Sequence, residues 1–69
     1  MKDDFSARLR MAREVRAMTQ AEVAAATGLQ PAAISHFETG ERRPSLANLC
    51  RLADALDVTT DYLCGRTPL

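Results

Sequence analysis

The chain has 69 residues and 7.6 kDa, a size that fits one domain and leaves no room for a second. A ligand cavity of about 300 to 1,000 Å³ needs walls that so short a chain barely supplies, so a binding module is expected, with no enzymatic chemistry and no cofactor. Nine basic and nine acidic residues cancel to a net charge of zero, unlike the strongly basic balance of many nucleic-acid binders.

Aromatic residues are reduced to Phe5, Phe37 and Tyr62, so the core is built from Ala, Leu, Val, Ile and Met, a composition that favours helices over strands. The first helix is predicted from about Asp4 to Ala17, capped by Asp3 or Asp4. Phe5, Leu9 and Ala12 mark one helical face there, and Met11, Val15 and Met18 widen the apolar arc. Thr19-Gln20-Ala21-Glu22 fits a capping box, in which the Thr19 hydroxyl accepts from the third amide and Glu22 reaches back to the cap. A second helix therefore runs from Gln20 to about Thr27 and stops at Gly28, where the chain needs a left-handed residue to turn sharply. Leu29 is an apolar anchor in the turn, and Pro31 suits the first helical position because its missing amide has no partner there. The third helix then covers Pro31 to about Glu38. Gly40 ends it and Pro44 blocks its continuation. Ser45 caps a fourth helix from Leu46 to Leu56, with Leu46, Leu49, Leu52, Ala53 and Leu56 spaced for one buried face. Thr59 caps a short fifth helix, Thr60 to Cys64, ended by Gly65, and residues 66–69 are expected to form a frayed tail.

Cys50 and Cys64 are too few for a disulfide framework or a four-ligand zinc site, so no metal is expected. Cys50 is predicted to fill a small core volume, and a redox role for either thiol finds little support. No apolar run approaches the length of a membrane span, and the start Met-Lys-Asp-Asp-Phe does not lead into a signal-peptide core. The expectation is a cytoplasmic protein with no membrane partner.

Function enters with Gln20 to Glu38. Two short helices joined by a tight turn form a helix-turn-helix, which offers its second helix to the DNA major groove. Close crossing of the two helices needs a small residue, and Ala24 provides one; the turn needs a positive backbone angle, and Gly28 provides that. Val23, Leu29, Ile34 and Phe37 are spaced to pin the pair to the rest of the domain.

Residues across the whole chain then carry a resemblance. Phe5, Leu9, Arg10, Arg13, Met18-Thr19-Gln20, Ala24, Gly28-Leu29, Ile34-Ser35, Glu38, Gly40, Arg43-Pro44-Ser45-Leu46, Leu49, Leu52-Ala53, Leu56 and Val58 to Leu63 resemble the XRE family of lambdoid repressor and Cro domains. The similarity covers about Phe5 to Leu63. It implies an all-α, compact five-helix domain that binds a double-stranded DNA operator as a homodimer and regulates transcription as a repressor or Cro-like protein.

Residue by residue, the resemblance implies that Gln20 touches a phosphate and that Thr39 and the Arg42-Arg43 loop hold the backbone across the groove. Base reading would fall on Pro31, Ala32, Ser35 and His36, with Gln30 and Ala33 at the margin. Pro31 and Ala32 depart from the family pattern, because neither forms the paired hydrogen bonds that tell bases apart. Direct readout then rests on Gln30, Ser35 and His36, with Ala32 and Ala33 against thymine methyl groups and DNA shape supplementing them.

Each of these residues also has a plainer reading. His36, the only histidine, is either a solvent-facing side chain or a base or phosphate contact. Arg42 and Arg43 are either a solvated loop or phosphate ligands, and Gln20 is either a first-turn residue or a DNA contact. Glu38 would repel phosphate if it faced the groove, so it is expected to pair internally, with Arg10 or Arg13. Tyr62 and Leu63 belong either to the core or to a dimer face. The competing functional reading is an antitoxin or antirepressor subunit that keeps the helix-turn-helix but binds a protein partner.

The zero net charge is a cancellation between regions. Residues 1–18 carry five basic and three acidic side chains, net +2, and the loop from Glu41 to Ser45 adds +1. Residues 19–40 contribute −2 and residues 46–69 contribute −1. The sum therefore does not exclude DNA, but Glu22 and Glu38 within the motif predict weak non-specific affinity. A chain of this length is also expected to lack a separate sensing domain, leaving its regulation to expression level or to a protein partner.

Overall fold

A computed structural model of the chain describes residues 4–66, which form five α-helices and no strand: α1 (Asp4–Val15), α2 (Gln20–Thr27), α3 (Pro31–Thr39), α4 (Leu46–Leu56) and α5 (Thr60–Leu63). Asp3, one of the two expected caps of the first helix, and the tail beyond Arg66 lie outside the described residues. Arg66 itself folds back on α5, its amide donating to the Asp61 carbonyl at 2.8 Å.

The caps form where the sequence places them. The Glu22 amide donates to Thr19 Oγ1 at 3.0 Å and the Thr19 amide to Glu22 Oε1 at 2.8 Å, completing the box that opens α2. Gly28 ends α2 at φ +75°, and the amides of Gly28 and Leu29 both donate to the Ala24 carbonyl. Ser45 accepts from the Asn48 amide at 3.2 Å and Thr59 from the Tyr62 amide at 3.0 Å, starting α4 and α5.

The fourth helix keeps its expected bounds, Leu46 to Leu56, whereas the C-terminal ends of the first, third and fifth differ by one or two residues. The first helix stops at Val15 rather than Ala17, because Ala17 adopts φ +56° and the Met18 amide turns back to the Arg13 carbonyl at 3.1 Å. The end of α4 is formed by Asp57, also left-handed at φ +56°. Arg16 supplies what this end lacks. Its guanidinium donates to the Leu56 carbonyl at 3.0 Å and to the Asp57 carboxylate at 2.8 Å, placing positive charge at the negative end of the helix dipole. At the other margins α3 runs one residue further, to Thr39, and α5 closes at Leu63, with Cys64 as its cap.

Leu9, Val23, Ile34, Leu52, Leu56 and Leu63 are fully enclosed and form the centre of the core, around which α2 packs on α3 and α4 while α1 packs on α3 and α5. Tyr62 and Leu63 are core residues, which removes them as a dimer face; Arg8 lies over the Tyr62 ring at 5.0 Å from its centre. Three apolar expectations fail. Leu46 is 76% exposed because the first turn of α4 projects beyond the core that Leu49, Leu52 and Leu56 reach. Val15 and Met11 are likewise solvent-facing, on the flank of α1 turned away from Phe5, Leu9 and Ala12. Cys50 sits on the outer face of α4 and is exposed rather than filling core volume, as is Cys64.

One polar contact runs through this interior. Glu38 on α3 is paired with Arg13 on α1 through two parallel bonds, Arg13 Nε to Oε2 at 2.6 Å and Nη2 to Oε1 at 3.1 Å, with the two side chains 15% and 5% exposed. Arg13 Nη1 also donates to the Met18 carbonyl at 2.9 Å. The Glu38 hydrogen bond raises the Arg13 pKa above its ordinary value against the opposing effect of burial, so the guanidinium stays charged at every working pH. Arg10, the other expected partner, instead pairs with Glu14 across one exposed helical turn, a contact worth little.

Thr19→Ala, which deletes the α2 cap, is expected to cost about 1 kcal/mol and to lower Tm by roughly 4 to 8 °C in a thermal melt. Arg13→Met leaves the buried Glu38 carboxylate uncompensated and is expected to cost about 3 to 5 kcal/mol. The double change Arg13→Met with Glu38→Met restores most of that loss, apart from the Met18 carbonyl, whose lost partner costs about 1 kcal/mol. Urea denaturation of the single and double variants measures the difference.

Candidate nucleic-acid interface

The interface is set by how α3 divides. Ile34 and Phe37 face the core, Ala33 packs against it and Glu38 faces Arg13, so the other five positions of this nine-residue helix turn outward. Pro31 and Ala32 are exposed in its first turn, Ser35 and His36 are half-buried one turn later, and Thr39 is exposed at the end. Gln30 precedes them as the cap residue, in extended conformation at φ −84°. Its carbonyl accepts from Ala33 while its side chain makes no capping bond and stays exposed. The helix starts without a side-chain cap because proline at its first position already fixes φ and carries no amide to satisfy. Gln30, Pro31, Ala32, Ser35, His36 and Thr39 thus share the outward side of one helix. Ala33 does not join them, since it packs against the core and is withdrawn from the expected contact with a thymine methyl group.

The far end of the helix is closed by Glu41. Thr39 Oγ1 donates to Glu41 Oε1 at 3.1 Å, and the same carboxylate oxygen lies 3.7 Å from His36 Nε2. The Arg42 amide returns to the His36 carbonyl at 3.3 Å, which folds the loop against the end of α3 and carries Arg42 and Arg43, both exposed, to the edge of the outward side. Glu41 is the residue at this end that sequence reasoning weighed too lightly. It was legible as an acidic neighbour of the two arginines, but its contacts to His36 and Thr39 depend on the left-handed turn at Gly40, φ +86°.

Gln20 sits at the first position of α2 and is half-buried. Its side chain is already engaged, with Nε2 donating to Glu38 Oε1 at 3.1 Å. The motif glutamine is thereby tied to the same carboxylate that holds Arg13, a link that sequence spacing gives no sign of. Among the described residues no group of His, Cys, Asp or Glu is placed to hold a metal ion, and no helix is long and apolar enough to cross a membrane.

Comparisons with known proteins fit this geometry. A family model described as helix-turn-helix matches residues 9–63. The chain is 42% identical over 48 residues to the cryptic phage CTXphi transcriptional repressor RstR of Vibrio cholerae, covering 70% of this chain and 43% of that protein. It spans about half or less of the length of the curated relatives it matches. Its fold is similar to the P22 c2 repressor solved in complex with a synthetic operator, with a TM-score of 0.87 and 32% identity over 91% of this chain and 96% of that one. It is also similar to the restriction-modification controller protein C.AhdI of Aeromonas hydrophila, with a TM-score of 0.84 and 34% identity over 88% and 92% of the two chains. The described helices, the capped turn between α2 and α3 and the extent of these matches place the chain in the helix-turn-helix family, within the XRE group of lambdoid repressor-like domains.

Proposed function

We propose that this chain is a sequence-specific transcription regulator that binds duplex DNA with α3 in the major groove, residues 1–69 acting as one helix-turn-helix unit. The carrying observation is the fold match to an operator-bound repressor, combined with an α3 whose outward side is free of core duties. Ser35, His36 and Gln30 supply the hydrogen-bonding groups for base edges, and Ala32 supplies a methyl-sized contact. Gln20, Thr39, Arg42 and Arg43 hold phosphates at the two ends of the helix. Pro31 contributes rigidity rather than readout, so part of the specificity comes from DNA shape. A homodimer would place two such helices in half-sites about one helical turn apart, near 34 Å. The reading assigns no catalytic step and a cytoplasmic site of action.

One observation favours a protein partner as the second reading. Met11 and Val15 are exposed side by side on α1 and border an apolar groove with Val58 and Tyr62, on a different surface from the outward side of α3. An antitoxin or antirepressor subunit would use that groove and need no DNA.

Titration of random duplex DNA at several salt concentrations separates the two. The regulator reading predicts non-specific dissociation constants of about 1 to 100 μM that weaken steeply as salt rises; no salt-dependent binding at all would refute it. Selection of bound sequences from a random pool then yields the operator. Against that operator, Arg42→Ala is expected to lower affinity evenly across sequences and reduce the salt slope by about 1, whereas His36→Ala relaxes preference at one or two base pairs, by about 1 to 3 kcal/mol each. Full preference retained by His36→Ala would remove His36 from base reading.

A further inference from the structure

Glu38 lies on the DNA-facing helix yet its side chain is only 5% exposed, and it accepts from two different elements at once. Its Oε2 takes Arg13 Nε, and its Oε1 takes both Arg13 Nη2 and Gln20 Nε2. A carboxylate is an acceptor only, so it admits one orientation of the Gln20 carboxamide, with nitrogen inward and Oε1 turned away from Glu38. The Gln20 nitrogen carries two hydrogens and spends one on Glu38; no second partner for it appears among the described residues. A phosphate oxygen also accepts only, so it can be met by that second hydrogen and not by the amide oxygen.

We infer that Glu38 is a positioning residue for the DNA backbone: it locks the Gln20 carboxamide so that the remaining Nε2 hydrogen is presented to a phosphate, while Arg13 holds Glu38 in place. This rests on the DNA-binding reading above and adds a role that neither acidic nor buried character would suggest. An unanchored glutamine must freeze its side-chain rotors and choose an amide face on binding, whereas the anchored one has settled both in the free domain. The Arg13–Glu38 pair is neutral as a unit, so its effect on DNA passes through Gln20 rather than through long-range charge.

The test uses that neutrality. Replacing both partners, Arg13→Met with Glu38→Met, leaves net charge unchanged and removes the anchor. Gln20→Met, which keeps the stem and deletes the amide, is introduced into the wild-type chain and into this double variant, and binding to one duplex is measured in all four proteins. In the wild-type background Gln20→Met is expected to weaken binding about tenfold, the scale of one hydrogen bond to a charged acceptor. In the double variant the same change is expected to cost less than about twofold. An equal loss in both backgrounds overturns the inference while leaving DNA binding intact, as does no loss in either. Absence of DNA binding by the wild-type chain overturns the functional reading itself. The side-chain amide signals of Gln20 in the wild-type domain give a second readout that does not require the variants to fold. One Nε2 proton should be displaced already in the free protein and the other should move on adding duplex; two ordinary proton shifts in the free domain, or no response to DNA, also overturn it.

Discussion

The bonds at Glu38 are the constraint on which the arrangement of the first three helices depends. Hydrophobic contacts bring α1, α2 and α3 together but are non-directional, and a small core built largely from Leu, Val, Ile and Ala tolerates several rotations of a nine-residue helix. A two-bond Arg13–Glu38 contact is directional and sets the rotation of α3 about its own axis. Because the same carboxylate takes Gln20, and the same guanidinium takes the Met18 carbonyl, α2 and the turn that leads into it are registered against that choice. A buried pair is a poor source of net stability, since desolvation offsets much of the attraction. Its value here is in deciding which residues of α3 face out.

What faces out follows from that rotation. Four inward positions, Ala33, Ile34, Phe37 and Glu38, leave Pro31, Ala32, Ser35, His36 and Thr39 on the outward side, with Gln30 ahead of them and the arginine loop behind. The acidic residue on the helix thus faces inward and is neutralised in the interior, which removes the repulsion that a carboxylate in the groove would impose. Glu41 is different: it is solvent-facing, close to His36 and Thr39, and keeps part of the negative charge at the edge of the surface. The overall balance of zero is therefore spatial as well as sequential, with one carboxylate internal and Arg42 and Arg43 at the rim.

The caps were legible because their chemistry is local. Thr19 with Glu22, Gly28, Ser45 and Thr59 each act within a few residues, and the helix boundaries they predict agree with the structure. The internal pairing of Glu38 was legible as a necessity, since a carboxylate on that helix needs a partner, although the choice of Arg13 over Arg10 depends on the approach of α1 to α3. What escaped the sequence is tertiary. Ala17 takes a left-handed conformation that its residue type does not advertise, and Asp57 takes one that aspartate tolerates; Arg13 supports the first through the Met18 carbonyl and Arg16 the second through the Leu56 carbonyl. Leu46, Cys50, Met11 and Val15 have helical spacing or hydrophobic character that suggests burial, but the core of so small a domain stops short of Leu46 at the start of α4 and leaves the flanks that carry Cys50, Met11 and Val15 uncovered. The anchoring of Gln20 belongs to the same class, because its partner is eighteen positions away on another helix.

The claim at the centre of this picture is that the outward side of α3 meets duplex DNA. Mapping backbone and side-chain NMR shifts of the labelled domain during titration with duplex tests it most directly, because it reports the location of contact and not merely its strength. Perturbations should concentrate at Gln20, along Gln30 to Thr39 and at Arg42 and Arg43, and should fade as salt is raised. Shifts confined to Met11, Val15 and Val58, or a spectrum indifferent to DNA, would contradict it.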